Sequence, residues 1–174
     1  TVRLFGVRPA VGVESTLAPE ELELVMEASA RAGLLSTAEL LLARRGLEFG
    51  EIQADQIMVP RTDVIAIGTS TPLDEVLAIT AEHTHRRYPV FEGDLDHILG
   101  LLDAKDLMRL VREGREDWRT LVGPAVAIPE SVSVEVAVTE MRTQGAALVV
   151  LIDEHGGTSG ILSGGDVLAR LLGQ

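Results

Sequence analysis

From Ile57 to the C-terminus, short β-branched apolar runs alternate with stretches of helical periodicity, a succession that predicts an α/β (α+β) fold. The first run, Val64-Ile65-Ala66-Ile67, leads through a turn at Ser70 to Pro72 into a helix from Leu73 to about His83. A strand Tyr88-Pro89-Val90-Phe91, an acidic turn Glu92-Gly93-Asp94, a strand from Ile98 to Leu102 and a helix beginning near Lys105 follow. The same order then recurs. Val126-Ala127-Ile128 is a strand, Pro129 to Ser133 a turn, Val134 to about Arg142 a helix, and Ala147 to Ile152 a second strand. The turn Asp153-Glu154-His155-Gly156-Gly157, the strand Gly160-Ile161-Leu162 and a helix from Asp166 complete the second copy.

Two landmarks share one register: Gly100 and Gly160, and Asp106 and Asp166, each stand sixty positions apart. The predicted organisation is a helical lead-in over residues 1–55, a first repeat over 56–112 and a second over 118–174. The charged, glycine-containing segment from Arg112 to Trp118 reads as the linker between them. A β-α-β-β-α unit leaves one sheet face open, so the two copies are expected to pack sheet to sheet.

The lead-in has helical character of its own. Pro19 opens a helix with Glu20, Glu21 and Glu23 in its first turns, Leu22, Val25 and Met26 on one face, and Gly33 as its stop. Ser36 followed by Glu39 is a capping-box pattern for a second helix, expected to run through Leu40, Leu41 and Leu42 and to end at Gly46 after Arg44 and Arg45.

Composition narrows the function classes. The 174-residue chain is 46% hydrophobic but only 3% aromatic, and a chain of this length buries roughly 70% of the surface its unfolded form exposes, so a core needs no staple. There is no cysteine, which excludes disulfides, thiolate metal sites and a thiol nucleophile and fits a reducing compartment. A net charge of −12 with no basic run argues against nucleic acid as a partner, so any phosphate site must be local. The longest apolar run, Ala146 to Ile152, is far below the roughly 20 residues of a membrane span. The abrupt start at Thr1 and the end at Gln174, just past a helical pattern, are read as the edges of a piece of a longer protein. No nucleophile–base pair, Walker loop or metal-ligand triad is apparent, so no enzyme is expected.

The tandem unit, with its closing Gly-apolar-apolar-Ser-x-x-Asp, resembles the cystathionine-β-synthase (CBS) domain pair, or Bateman module. Met58-Val59-Pro60-Arg61-Thr62-Asp63-Val64, Arg87-Tyr88-Pro89-Val90 and Asp153-Glu154-His155-Gly156-Gly157-Thr158 are similar to the CBS pair of the CorC/HlyC and CNNM membrane magnesium and cobalt transport proteins. The lead-in resembles the segment that follows the membrane domain in that family. The resemblance implies a transmembrane domain upstream of Thr1, a module on the cytoplasmic side of the membrane, a homodimer formed through the CBS pairs, and binding of an adenine nucleotide, typically ATP with Mg²⁺ carried by the nucleotide. It also implies that the small C-terminal domain of many members is lacking here.

The residues expected to bind the nucleotide are Arg61, Thr62, Tyr88, Pro89, Gly160, Ser163 and Asp166. Gly160, Ser163 and Asp166 stand at a strand end, a turn and a helix start, where backbone N–H groups and the helix dipole favour phosphate. By resemblance, Asp166 accepts from the ribose hydroxyls and Ser163 reaches a phosphate oxygen; the competing reading is that both are helix caps. The family likeness also puts Arg61 and Thr62 on the same cleft. Arg61 would neutralise phosphate charge, or else sit in a surface salt bridge; Tyr88 with Pro89 would wall the adenine, or else complete the core.

Two departures from the family pattern stand out. Gly100-Leu101-Leu102-Asp103-Ala104-Lys105-Asp106 carries an acid where the second copy has Ser163, so the first copy's site is expected to be empty or weak. Gly164-Gly165 replaces an apolar residue and an acid, which leaves affinity open and keeps a degenerate, purely structural dimerisation module as the alternative. Arg86 and Arg87 add local cations, so a magnesium-bound triphosphate is favoured over the bare one. His83 and His85, two apart, are not read as a metal site because that spacing splits them across a helix. The carboxylates Asp94, Asp96, Asp153 and Glu154 are read as solvated turn residues.

Overall fold

The computed structural model describes residues 18–173; the expectations for residues 1–17 and for the terminal Gln174 lie outside the described residues. The described residues divide into two compact units that part between Arg44 and Arg45. In the first, α1 (Pro19–Arg31) ends at Gly33, whose φ of +76° suits a glycine stop, and α2 (Thr37–Phe49) begins with the expected capping box. The Ser36 N–H donates to Glu39 at 2.8 Å and the Glu39 N–H to Ser36 Oγ at 3.2 Å. Arg44 ties the helices of this unit together through Glu23 and Glu27, at 2.8 and 2.5 Å.

The expected stop at Gly46 is overridden, and α2 continues to Phe49. Gly46 has no positive φ, and Phe49, which belongs to the second unit, packs against an apolar cluster within that unit. A glycine inside a helix costs about 1 kcal/mol, which anchoring one aromatic ring offsets.

The second unit holds both repeats. In the first, β2 (Ile67–Gly68), α3 (Leu73–His83), β3 (Arg87–Phe91), β4 (Ile98–Asp103) and α4 (Ala104–Arg112) follow β1 (Val59–Pro60). In the second, the matching elements are β5 (Val126–Pro129), α5 (Val134–Gln144), β6 (Leu148–Ile152), β7 (Thr158–Ser163) and α6 (Gly164–Leu172). Each repeat joins a parallel pair through a helical crossover and then an antiparallel hairpin, with β2 parallel to β3 and β5 parallel to β6. Of the strand expected over Val64–Ile67, only Ile67 pairs; Val64 is extended, but the ladder lies further on.

The sheets run β2-β3-β4 and β1-β7-β6-β5, so β1, which leads into the first repeat, hydrogen-bonds to the closing strand of the second. The reverse exchange is also present: Gly123, which leads into the second repeat, bridges Leu101 of β4, with N–H to carbonyl distances of 2.9 and 3.0 Å. Core packing follows the same exchange. Ala54, Ile57 and Met58 pack with Val149, Leu151 and Leu162 of the second repeat, whereas Trp118, Leu121 and Val122 pack with Tyr88, Val90 and Leu102 of the first.

Trp118, which its charged surroundings place at the join between linker and second repeat, packs in the first repeat's core. It is fully buried, its Nε1–H donates to the Thr71 carbonyl at 3.1 Å, and the guanidinium of Arg119 stacks over it.

Both landmark glycines sit where the exchanged segments cross. A Cβ at Gly160 would meet the Val59 carbonyl and stand 2.8 Å from Met58 Sδ, and one at Gly100 would meet the Gly123 carbonyl and stand 2.7 Å from Val122 Cγ1. The sixty-residue register thus records one steric requirement used twice. On β6, Val149 and Leu151 face the core beneath α5 and α6, while Leu148 and Val150 on the opposite face are also buried, so this sheet is covered on both sides.

Candidate functional site

Where α6 leaves β7, the backbone turns from extended to helical at Ser163, and its side chain caps the helix it opens. The Asp166 N–H donates to Ser163 Oγ at 3.3 Å, while Asp166 Oδ2 accepts from the Ser163 N–H at 2.8 Å and from its hydroxyl at 2.5 Å. Both residues are therefore helix caps, in a reciprocal box. Both also line a cleft of about 880 Å³, together with Gly164 and Gly165.

The segment around β1, the residues from His85 to Arg87 of the first repeat and residues of the second repeat form the walls of this cleft. Val59, Ile65, Met141, Leu148, Ile161 and Leu168 supply apolar surface, Arg86, Arg87 and Arg142 supply cations, and His85, Asp63 and Asp166 also line the cleft. Such a cavity, mainly aliphatic with a few convergent polar groups beside a helix start, suits an anionic organic ligand of moderate size. No group of three or more potential metal-ligating side chains occurs among the described residues.

Several expected site residues lie elsewhere. Tyr88 is fully buried in the first repeat's core, its hydroxyl accepting from the His85 N–H at 2.9 Å and facing the Thr80 carbonyl at 3.4 Å, so its ring has no face free for a base. Strand alternation explains this: Tyr88 and Val90 point under α3 and α4, and Pro89, although it points the other way, is buried too. Thr62 is exposed outside the cleft, with its hydroxyl 3.1 Å from Asp63 Oδ1. Gly160 does not line the cleft; it is the crossing point for β1.

Arg61 is in a salt bridge. Its guanidinium takes Asp96 in a two-pronged contact, with Nη2 to Oδ2 at 3.1 Å, and its Nη1 donates to the Thr158 carbonyl at 3.1 Å. Asp96 Oδ1 also accepts from the Thr158 N–H at 2.8 Å, so the ion pair joins the first repeat's hairpin turn to the start of β7. The hydrogen bonds from Arg61 and from Thr158 hold the Asp96 carboxyl below the usual carboxylate range, and Asp96 in turn raises Arg61. In the neighbouring turn, Asp153 is lowered by the N–H groups of Gly157 and His155, both at 2.8 Å.

Sequence reasoning missed Arg142 and the aliphatic wall. Arg142 sits in the last turn of α5, where a basic residue reads as an ordinary helix end, and no spacing rule links it to Ser163.

The CBS domain family model matches residues 54–113 and 120–173. The chain is 30% identical to the UPF0053 protein MT1890 of Mycobacterium tuberculosis, over 99% of this chain and 38% of that protein. It is 32% identical to the magnesium and cobalt efflux protein CorC of Pasteurella multocida, over 88% of this chain and 52% of that one. The chain thus spans only about two fifths to one half of these relatives.

Among solved structures, the CBS domain of a bacterial CNNM/CorC family Mg²⁺ transporter superposes with a TM-score of 0.82 at 29% identity, covering 91% of this chain and 98% of that one. The corresponding structure in complex with ATP gives a TM-score of 0.73 at 30% identity, covering 79% and 99%. Twofold matching of the family model, the exchanged repeats and these superpositions agree: the chain belongs to the CBS-domain family, as a tandem pair of the CorC/CNNM kind.

Proposed function

We propose that this CBS pair is the cytoplasmic regulatory module of a membrane magnesium or cobalt transport protein and that it binds an adenine nucleotide, ATP with Mg²⁺, in the cleft at the start of α6. The observation that carries the reading is the convergence on one cleft of the Ser163–Asp166 cap, an aliphatic wall and Arg86, Arg87 and Arg142. The ATP complex of a CNNM/CorC relative supports the choice of ligand.

In this reading Asp166 exchanges the Ser163 hydroxyl for the ribose hydroxyls, and the freed Ser163 hydroxyl donates to a phosphate oxygen. Gly164 and Gly165 leave the helix start open, since no atom outside their own turn crowds either position. The arginines offset phosphate charge, and the aliphatic side chains rather than Tyr88 receive the base. Ligand then shifts how the two repeats sit, and a homodimer of such pairs passes the shift to the membrane domain. Turnover of the nucleotide is not expected.

Calorimetric titration of the chain with Mg-ATP, ADP and AMP tests the reading: saturable binding of at least one is expected, and silence for all three refutes it. Such silence, with a dimer whose stability is indifferent to nucleotide, would favour the second reading, a structural dimerisation module. That reading draws on the mutual capping of Ser163 and Asp166 and on the engagement of Arg61 by Asp96.

A further inference from the structure

The two repeats differ in chemistry at one pair of equivalent positions on the rim of the cleft. In the second, the hairpin sets Leu148 opposite Ser163, and the Gly164 N–H donates to the Ala147 carbonyl at 3.3 Å. In the first, the same hairpin sets Arg87 opposite Asp103, and the Ala104 N–H donates to the Arg86 carbonyl at 2.9 Å. An apolar residue and a hydroxyl in one copy are thus an arginine and a carboxylate in the other. Arg86 and Arg87 line the cleft beside Leu148 and Ser163, so the differing pairs meet at one site.

Asp103 does not line the cleft, but its Oδ2 lies 3.6 Å from Arg86 Nε and 3.5 Å from Arg87 Nη2. The side chain is 20% exposed. Its Oδ1 accepts from the Lys105 N–H at 2.9 Å as the cap of α4. Pinned by the helix start and by the cross-strand register, the carboxylate cannot follow the arginines if they swing toward a ligand.

We propose that Asp103 is an internal counter-anion of the Arg86–Arg87 pair and that it sets the cleft's selectivity for ligand charge. It competes with incoming phosphate for the two guanidinium groups and halves the positive charge they present. Because the repulsion grows with each ligand charge, a bare polyphosphate is penalised more than a shorter one or one neutralised by a divalent cation. The acid in the first repeat is thereby a tuning element for the second repeat's site. This inference rests on the nucleotide reading for the identity of the natural ligand; competition with an anion is separable from it.

The test uses Asp103→Asn, which keeps a good helix cap while removing the charge, and Asp103→Ser, which installs the second repeat's residue type. Titration with inorganic tripolyphosphate at low ionic strength should show about a tenfold gain in affinity in both variants, with a smaller gain for orthophosphate and a gain that shrinks as salt is added. An unchanged or weakened tripolyphosphate affinity in both variants, with melting curves that show them folded, would overturn the proposal. Variants that gain tripolyphosphate affinity in a chain silent to all adenine nucleotides would retain the counter-anion and remove the nucleotide reading. Nucleotide binding without any such gain would do the reverse.

Discussion

Replacing Gly160 with alanine probes the strand exchange that joins the repeats. The new methyl would meet the Val59 carbonyl and stand 2.8 Å from Met58 Sδ; the thioether can swing away, but the carbonyl belongs to β1. Relief requires β1 to move off β7, weakening the Val59–Ile161 and Pro60–Gly160 pairings and shifting the adjacent Arg61 away from Asp96 and Thr158. Overpacking against backbone lies at the upper end of the usual 1–3 kcal/mol, and loss of a ladder hydrogen bond adds about 1 kcal/mol, so a loss of about 3–4 kcal/mol is expected. Gly100→Ala should match it, because the Gly123 carbonyl occupies the equivalent place. Gly164→Ala, only four residues from Gly160, should have the opposite sign. No atom approaches within 4 Å of its would-be Cβ and its φ is not positive, so relief of glycine's helix penalty stabilises by about 0.5–1 kcal/mol. Urea unfolding of the three variants against the parent chain measures all of these values. A Gly160→Ala chain within 0.5 kcal/mol of the parent, an allowance for ordinary surface changes, would refute the close approach of β1.

Thr84 ends α3 in the left-handed region at φ +42°, where the second repeat has Gly145 at +64°. A β-branched residue is strained there, so Thr84→Gly should raise stability by about 1 kcal/mol in the same unfolding assay. Asp166→Ala should weaken nucleotide binding by about 1.5–3 kcal/mol in calorimetry and lower stability by about 1 kcal/mol through the broken capping box. Asp96 and Asp94 have folded-state pKa values below their unfolded ones, Asp96 mainly through Arg61 and Asp94 mainly through His97. Their contributions are present above the usual carboxylate range and are lost as pH falls through the folded values, so unfolding free energy should drop below about pH 4, and Asp96→Asn should flatten that drop. His97 is raised by Asp94, so its opposite contribution is present at low pH and fades as pH rises past the usual histidine range, which a melting series from pH 5 to 8 would detect.

Periodicity, capping residues and the sixty-residue echo were enough to read the two β-α-β-β-α units, because helix and strand periods and turn chemistry are local. The capping boxes at Ser36–Glu39 and Ser163–Asp166 are local in the same way: each is closed by residues three apart. Only the folded chain decided which repeat each leading segment joins, since β1 and Trp118 find their partners across the module and an apolar or charged flank carries no address. The same distinction separates what the site residues do. That Tyr88 faces inward depends on which side of β3 the helices cover; that Arg61 meets Asp96 depends on the segment after β1 being brought against the first repeat's hairpin turn, where both also bond Thr158. Arg86, Arg87 and Arg142 face Ser163 across one cleft for the same reason, and no spacing along the chain encodes it. Local chemistry thus specified the elements and their ends, whereas long-range packing selected which of the candidate polar groups share a space.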